Sequence, residues 1–478
     1  MKKLFVWLLV LAAGCSSVME VGARGSVGEN IEKRIPDIMD FFVTEEFHKA
    51  DTEECFVYVT YPQLHLGRQE INGEVLVPER YEQLEQALEL HNLEIYVRQQ
   101  MELARMGSLE TYNTEECYSD MELFVTRNDD QMVSFYEHTA ILDEWGDERF
   151  EWNAYNFDSA TGEELKFEAV FQNVKDLPAF FAEEFVKNYP ELEISFMADE
   201  LIEESIREED GYLSFALGYD CIHIFAADWW LTNASGGQHI TLSYQDYPDL
   251  IKEQYQIKPS SYLTKLDYDT DYILQDGMRF SMEWEMQDEA YMEGMWTVFL
   301  DEVVYSELYY GYAPECYLLQ NPNGVYIYLK IPSGDVSALT NIYEITAEGL
   351  VLNGWSDAAI DSATSLNPGR MKMRLNTMAY AGPSLLIPYG WYSPDELGLP
   401  MLEEGFGLMG SEVTLLKDIQ VSEHVSLASG AILAPFATDL DGYVDFLDMD
   451  GRTVHFAINE FSWEMEFLEF GAPEELFY

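Results

Sequence analysis

The side chains that could carry chemistry are scattered along the chain. Its eight histidines stand at positions 48, 65, 91, 138, 223, 239, 424 and 455, and the sequence has no HExxH, GxSxG, phosphate-binding or dinucleotide-binding motif. Nucleophilic catalysis needs a base within reach of the nucleophile. Cys221 and His223 come nearest to this, because residues two apart share one face of a strand. We interpret them as a buried structural pair, so the sequence nominates no catalytic residue.

Carboxylates are abundant, with 88 Asp and Glu, so pairs suited to glycoside chemistry arise by chance on any surface. The segment "DYDTDYILQDG" (267–277) has Asp at the first, third and fifth positions of a calcium loop, but Tyr272 replaces the turn glycine and Met278 the bidentate glutamate. The segment "DLDGYVDFLDMDG", with Asp439, Asp441 and Asp445, is also incomplete. No cysteine or histidine spacing fits zinc. We therefore expect solvated turns, no metal site and no cofactor.

Aromatic residues make up 14% of the chain, and two groups of them could stack against a sugar ring. These groups are Trp229-Trp230 and Tyr309-Tyr310-Tyr312. Adjacent residues in a strand face opposite sides, so at most one of Trp229 and Trp230 is free at the surface. We retain Trp229 and Trp230 as candidate ligand contacts, while core packing explains most of the other aromatic residues better.

The chain is strongly acidic, with 26 Lys and Arg against 88 Asp and Glu and a formal net charge of -62. Such a field repels nucleic acid and anionic lipid headgroups and attracts cationic proteins. An acidic surface that only keeps an exported protein in solution is an equally good explanation. With 478 residues and 47% hydrophobic content, the chain can form two or three domains with full cores.

The N-terminus has the pattern of a bacterial lipoprotein signal. Two lysines precede ten apolar residues, Leu4 to Ala13, which are too few to span a membrane. Small residues then lead directly into Cys15, with Leu11 one position earlier than the usual leucine of this signal. We expect Cys15 to be lipidated after cleavage. A plain secretory signal or a buried strand is the alternative.

Four further cysteines permit two disulfides with three connectivities in an exported protein: Cys55, Cys117, Cys221 and Cys316. The tetrapeptide "TEEC" occurs at 52–55 and at 114–117, each time before an alternating apolar stretch. This repetition predicts that Cys55 and Cys117 lie at similar ends of neighbouring strands, and we favour their pairing. Free thiols are the alternative.

Hydrophobic periodicity predicts the elements that position these residues. The segment that follows the signal shows no hydrophobic periodicity, and we expect it to be a tether up to residue 35. A long helix is expected over 79–106, with Leu84, Leu88, Ile95, Met101 and Ala104 near one stripe. Alternation predicts strands at 55–66, 118–129, 131–142, 152–157, 324–331 and 341–346, of which 118–129 and 131–142 form an antiparallel hairpin around Asn128-Asp129-Asp130. Two or three more strands are expected within 211–244, and renewed alternation at Leu165 and Phe167. Further helices are expected at 177–189, 199–207 and 247–255.

One stretch resembles a known family. The segments "NFDSATGEELKFEAVF" (156–171), "GYLSFALGYDCIHIFAADWW" (211–230) and "GGQHITLSYQDYPDLI" (236–251) are similar, in this order, to the extracellular domain of the RsiV/PdaC family, of DUF3298 type. That family includes a lysozyme-responsive anti-sigma factor and a peptidoglycan deacetylase. The resemblance covers about residues 52–258 and implies an α+β module that binds outside the membrane.

The chain departs from this family in one segment. "ILDEWGDERFEWNAYNFD" stands where the family often has Gly-Gly-Ala-His before its "nyD" strand, and an anti-sigma role is not implied. A second, weaker resemblance concerns residues 411–459, which look like a small bacterial SH3-like barrel with turns at Ser429-Gly430, Asp441-Gly442 and Asp450-Gly451. Such barrels are wall or peptide binders in some proteins and spacers in others.

Together these observations predict an α+β surface lipoprotein: an N-terminal antiparallel sheet with packed helices, then a mostly β region ending in the SH3-like barrel. The expected segments are a signal (1–14), a tether (15–35), the RsiV/PdaC-like domain (36–259), a β domain (260–405) and the barrel (406–478). The expected function is non-catalytic binding or sensing at the envelope, of a lysozyme-like cationic protein or of peptidoglycan. A wall-active hydrolase using carboxylates, or a spacer without a ligand, are the alternatives.

The lipid anchor can be tested directly. Cys15→Ser removes the thiol that would carry the lipid. We therefore expect the variant to leave the membrane fraction and appear among soluble proteins of the envelope or medium. Fractionation with immunoblotting measures this. Retention of the variant on membranes washed with high salt would contradict the lipoprotein prediction.

Overall fold

The computed structural model describes most of the chain from Arg34 to Tyr478. The described residues are 34–50, 52, 55–70, 75–109, 113–208, 211–232, 236–268, 270–274, 277–288, 292–332, 338–361, 366–403, 405–422 and 425–478. The signal and Cys15 lie outside them. Residues Ile35–Tyr478 form one compact unit, and the predicted limits at 259 and 405 stay predictions.

The first sheet forms where the sequence alternates most regularly. Its strands are β1 (Phe41–Ala50), β2 (Phe56–Leu66), β5 (Glu116–Asn128), β6 (Met132–Leu142) and β7 (Glu148–Asp158), with the small hairpin β3 (Arg68–Gln69) and β4 (Val75–Leu76) beside them. The five long strands follow the order β1-β2-β5-β6-β7, and β5 pairs antiparallel with β6. The predicted strand at 55–66 and the predicted hairpin around residue 130 are therefore confirmed.

A long helix, α1 (Glu82–Gly107), connects β2 to β5, which are parallel neighbours and need such a crossover. Its buried residues include Leu84, Leu88 and Ile95, as predicted. The assignment of Met101 and Ala104 to the same stripe is wrong. Both are exposed, and the buried residues are Leu103 and Met106, because a period of 3.6 residues from Ile95 leads to those positions.

The turn after β7 packs against the start of α1. Gly162 has a φ of +67°, and a Cβ at this position would lie 2.3 Å from the carbonyl oxygen of Gln83. Only glycine allows both this conformation and this approach. The turn is followed by a short helix, α2 (Phe167–Val170), where the sequence predicted renewed strand alternation. That prediction is wrong because Phe167, Val170 and Phe171 are all buried, and this spacing is helical.

The second sheet contains β8 (Leu213–Leu217), β9 (Cys221–Ala226) and β10 (Gln238–Ser243) in the order β10-β9-β8. Two helices that confirm the sequence prediction, α3 (Leu177–Asn188) and α4 (Ala198–Glu208), pack their apolar faces into its core. The predicted helix at 247–255 is reduced to a single 3-10 turn at Glu253–Gln256. None of the described helices is both long and apolar enough to span a bilayer.

The next region consists of strands only. They are β11 (Tyr262–Leu266), β12 (Tyr272–Ile273), β13 (Arg279–Asp288), β14 (Glu293–Leu300), β15 (Val303–Tyr310), β16 (Glu315–Asn321), β17 (Gly324–Pro332), β18 (Ala338–Thr346) and β19 (Gly349–Ser356). One sheet has the order β11-β16-β17-β18-β19 and the other β12-β13-β14-β15. The first of them contributes to an apolar core on each face, which explains its nearly continuous apolar strands.

The C-terminal strands are β20 (Ala358–Ile360), β21 (Met371–Leu375), β22 (Ala379–Ala381), β23 (Ser384–Pro394), β24 (Pro400–Leu402), β25 (Phe406–Met409), β26 (Val413–Thr414), β27 (Ile419–Ser422), β28 (Val425–Leu427), β29 (Ile432–Thr438), β30 (Tyr443–Asp448) and β31 (Thr453–Ala457), followed by α5 (Pro473–Leu476). Ten of these strands share one sheet, which closes no barrel in the described part of the chain. Because β25 pairs with β23, the sheet continues across residue 406. The SH3-like barrel is not confirmed, and the fold is mostly β.

A buried arginine joins the first two sheets to the β region. Arg127 is fully buried near the end of β5, where it donates to Asp129 Oδ2 at 2.7 Å and to Gln131 Oε1 at 2.9 Å. It also donates to the carbonyl oxygens of Tyr255 and Ile257, which precede β11. One side chain therefore fixes the hairpin between β5 and β6 against the segment that leads into the next sheet.

This arginine can be tested by Arg127→Met. The substitution leaves the Asp129 carboxylate buried without its cation, which costs about 3–5 kcal/mol of unfolding free energy. Chemical denaturation followed by tryptophan fluorescence measures the change. The matched control is Arg149→Met, since Arg149 is 46% exposed and lies 3.8 Å from Glu151, a surface pair worth at most about 1 kcal/mol. Equal effects of the two substitutions would contradict the role given to Arg127.

Candidate functional site

The hairpin formed by β9 and β10 carries two histidines on one face. The strands pair so that His223 lies directly opposite Thr241, and His239 stands two residues before Thr241 on the same face. The intervening Ile222 and Ile224 are buried in the core on the opposite face. Alternation along the two strands, together with this register, brings both imidazoles together.

A carboxylate from a different sheet completes the group. Asp267 follows β11 directly, and its Oδ2 lies 3.3 Å from His223 Nδ1. The same nitrogen lies 3.1 Å from His239 Nε2. One ligand atom from each of the three residues falls within 4.8 Å of the others. We call His223, His239 and Asp267 the His-His-Asp cluster.

Neighbouring groups fix the orientation of the cluster. The Thr241 hydroxyl donates to Asp267 Oδ2 at 3.2 Å and lies 3.3 Å from the facing nitrogens of both histidines. Cys221 Sγ lies 3.6 Å from the other ring nitrogen of His223. Tyr189, just after α3, donates its hydroxyl to the carbonyl oxygen of His239 at 2.7 Å. These contacts restrain all three residues of the cluster.

Burial controls the protonation of this region. It lowers the pKa of His239 to about 4, with His223 acting in the same direction and Asp267 opposing. Burial also lowers the pKa of His223, again against the effect of Asp267. For the Cys221 thiol, burial raises the pKa well above its ordinary value. Near neutral pH both imidazoles are therefore neutral, and Cys221 is a thiol rather than a nucleophilic thiolate.

A small cleft lies beside the cluster. It has a volume of about 20 Å³ and is lined by His223, Asp267, Lys265, Thr264, Tyr136 and Phe124, among other residues. This volume holds about one water molecule. The Lys265 ammonium lies 4.5 Å from the centre of the Phe124 ring and 3.7 Å from Glu315, so its charge is partly neutralised.

A second feature lies at the loop end of the same hairpin. Trp229 is 59% exposed and has a φ of +59°, a left-handed conformation that is costly for a bulky residue. Trp230 is half-buried, packs against the core and stacks on Tyr212 with ring centroids 5.9 Å apart. The prediction that at most one of these tryptophans is free is confirmed, although they occupy a turn and not a strand.

This turn is hydrogen-bonded to the segment that leads into an acidic helix. The amide of Ser195 donates to the carbonyl oxygen of Leu231 at 2.8 Å, which places Phe196, 94% exposed, beside the turn. Helix α4 begins two residues later and exposes Asp199, Glu200, Glu203, Glu204 and Glu208. We call Phe196, Tyr212, Trp229 and these five carboxylates the aromatic-acidic surface.

Comparisons with known proteins concern the fold. No protein-family model and no curated protein matches the sequence. The chain is similar to the solved structure of a DUF3298 family protein from Pseudomonas aeruginosa PAO1, with a TM-score of 0.30 and 10% identity over 47% of this chain and 98% of that one. It is also similar to a DUF3298 family member from Bacteroides fragilis, with a TM-score of 0.30 and 13% identity over the same shares. The RsiV/PdaC and SH3-like resemblances stay predictions.

The other residues singled out in the sequence are dispersed. Tyr309 is buried and shares a hydrogen bond of 2.7 Å with Tyr343, whereas Tyr310 and Tyr312 are exposed, so the three do not form one platform. Asp439 accepts backbone hydrogen bonds within its own turn, and Asp445 lies 2.7 Å from His455. Asp439 therefore lies in a polar turn, in agreement with the solvated turn predicted there.

Sequence reasoning missed His239 and Asp267. Alternation in "DCIHIF" and "QHITLS" places each histidine on a definite face, but the register between the strands cannot be read across the eleven residues 227–237. The sequence places Asp267 in an incomplete calcium loop, and its partners His223 and His239 lie 44 and 28 positions earlier. The sequence feature that points to this site is the pair of histidines at alternating positions in neighbouring strands.

The cysteines lie where the repeated tetrapeptide predicts. Val57 is opposite Cys117 in the parallel pair of β2 and β5, and the sulfur atoms of Cys55 and Cys117 are 3.5 Å apart. All four described cysteines are buried thiols, and Cys221 and Cys316 share one apolar cluster. The disulfide itself stays a prediction.

We expect Cys55 and Cys117 to become linked in protein that folds in an oxidising compartment. Burial raises the pKa of Cys117 to about 12, so the thiolate is scarce once the chain has folded, and oxidation has to occur during folding. Non-reducing peptide mapping of protein purified without reductant should show one crosslinked peptide pair, with Cys221 and Cys316 as internal controls. Alkylation of both Cys55 and Cys117 as free thiols would contradict the pairing.

Proposed function

We propose that this protein is a lipid-anchored binding protein of the bacterial envelope and that it engages a cationic protein through the aromatic-acidic surface. One observation carries the proposal: exposed aromatic side chains lie on the turn and on the segment before α4, which a hydrogen bond joins to the turn, and α4 exposes five carboxylates. Aromatic side chains supply contact area at low entropic cost, and carboxylates attract positive charge. Binding alone accounts for this combination, without a chemical reaction.

The conformation of Trp229 supports the same function. A left-handed backbone costs roughly 1–2 kcal/mol for such a residue. The turn retains it nonetheless, while the neighbouring Trp230 anchors the turn in the core. Strain that keeps a large aromatic ring exposed has no benefit for packing, and such conformations concentrate at functional sites.

The overall charge supports a cationic partner. A formal net charge of -62 attracts basic proteins over distances longer than any contact. This attraction is screened, since the Debye length falls from about 10 Å at 0.1 M salt to about 3 Å at 1 M. Charge therefore accelerates the encounter with any basic protein, and the aromatic residues determine which complex persists. The resemblance to the RsiV/PdaC module favours a lysozyme-like protein as the partner.

A wall-active hydrolase remains the competing function. A cleft of about 240 Å³ lies between β7, β8 and α2, and among its described lining residues the one carboxylate is Glu164, which is paired with Lys166 at 2.8 Å. Glycoside hydrolysis needs two carboxyl groups on either side of the scissile bond, so this cleft supports binding better than hydrolysis. Peptidoglycan is the second candidate ligand, because exposed aromatic rings also stack on sugars.

The proposal can be tested with the chain from residue 16 onward, titrated with lysozyme and with an equally basic, unrelated protein in biolayer interferometry. We expect lysozyme binding to weaken but persist at 0.5 M salt, and the unrelated protein to lose its binding there. Trp229→Ala and Phe196→Ala should each weaken lysozyme binding by about 10-fold or more, as loss of a central aromatic contact does.

The matched control is Trp355→Ala. Trp355 is 69% exposed on β19, far along the chain from the aromatic-acidic surface, and its removal should leave the affinity within about 2-fold. If the two basic proteins behave alike throughout the salt titration, the attraction is only bulk charge. If Trp355→Ala weakens binding as much as Trp229→Ala does, the aromatic-acidic surface is not the contact.

A further inference from the structure

We propose that the His-His-Asp cluster binds one divalent transition-metal ion of the zinc class, with His223 Nδ1, His239 Nε2 and a carboxylate oxygen of Asp267 as ligands. This inference is independent of the proposed binding function, since it concerns the inner face of the hairpin and not its exposed turn. It replaces the sequence-based expectation that the chain holds no metal.

The distances between the ligand atoms fit such an ion. Zinc lies about 2.0–2.1 Å from imidazole nitrogen and about 2.0–2.2 Å from carboxylate oxygen, which makes the edge of a tetrahedral site about 3.4 Å long. The observed edges are 3.1 Å between the two histidine nitrogens and 3.3 Å between His223 Nδ1 and Asp267 Oδ2. These two edges match a tetrahedral site to within a few tenths of an ångström, and the ligand atoms of His239 and Asp267 lie within 4.8 Å of each other.

The chemistry of the convergent atoms favours a cation. Two imidazole nitrogens, a carboxylate oxygen and the Thr241 hydroxyl all point at one place, and the hydroxyl is the only one of them that must carry a proton. Without a metal ion, a second proton has to sit between His223 and either His239 or Asp267. A metal ion replaces that proton and satisfies all three ligands at once.

The surrounding groups provide the outer contacts that metal-binding histidines need. With Nδ1 of His223 on the metal, its Nε2–H faces Cys221 Sγ at 3.6 Å, and the Thr241 hydroxyl donates to the ligating carboxylate. The cleft that His223 and Asp267 line has room for one water molecule. The ligand set of two nitrogens and one oxygen suits zinc and cobalt, whereas calcium requires six to eight oxygens.

The experiment uses the chain from residue 16 onward, freed of metal by chelation and titrated with Zn²⁺ in isothermal titration calorimetry at pH 7.5. We expect one equivalent to bind and to raise the melting temperature. Asp267→Asn and His239→Gln should each weaken binding by about 10-fold or more, because each removes a ligand. His455→Gln is the matched control, since His455 is an exposed histidine that also pairs with an aspartate, and it should bind as the native chain does.

A second measurement decides the case if a variant fails to fold. Co²⁺ added to the native chain should produce the visible bands of a four- or five-coordinate site with nitrogen and oxygen ligands and no thiolate band in the near ultraviolet. Thiolate absorption would assign the metal to cysteines and overturn the proposal. So would the absence of saturable binding, or equal affinity of Asp267→Asn and His455→Gln, either of which would leave the cluster as a proton-bridged hydrogen-bond network only.

Discussion

The buried guanidinium of Arg127 is the interaction on which the arrangement of the sheets depends. Its partners lie in its own hairpin and in the segment 128 and 130 positions later that leads into β11. The adjacent Asn128 donates to the carbonyl oxygen of Met39 and shares a hydrogen bond with Tyr219. A buried charge with several acceptors tolerates little displacement, because each lost bond leaves a polar group without a partner. The position of β11 relative to the second sheet is thereby fixed, and so is the position of Asp267 at its end.

The hairpin of β9 and β10 carries residues of both proposed sites, one at its loop and one on its inner face. Its loop exposes Trp229 beside helix α4, and its face presents His223 and His239 toward Asp267. Gly237 lies between the loop and this face and allows the chain to pass close to Trp152. A Cβ on residue 237 would lie 2.6 Å from the indole ring of Trp152. A larger residue there would displace the loop or the ring. The two features therefore depend on the same close packing of the hairpin against β7.

Local periodicity predicted the elements well and their contacts poorly. The strand at 55–66, the hairpin around residue 130 and the helices at 177–189 and 199–207 follow from apolar spacing, because each spacing is set within one element. The repeated "TEEC" even located Cys55 beside Cys117, because it precedes two strands that the fold makes parallel neighbours. Asp267 could not be placed beside His223, because that contact depends on how Arg127 holds the segment before β11. The short helix at Phe167 was missed since four residues show too little of either period.

The proposed recognition of one basic protein by an acidic chain raises a problem of specificity. Its 88 carboxylates attract every basic protein, and this attraction discriminates little between partners. Discrimination therefore has to come from apolar groups held in one geometry, and Trp229 is such a group only while its turn is rigid. The turn is supported from beneath by Trp230 and along the hairpin by the contacts of His239 with Tyr189, Phe225 and the His-His-Asp cluster. His223 also contacts Asp267, so the same hairpin is joined to the segment after β11.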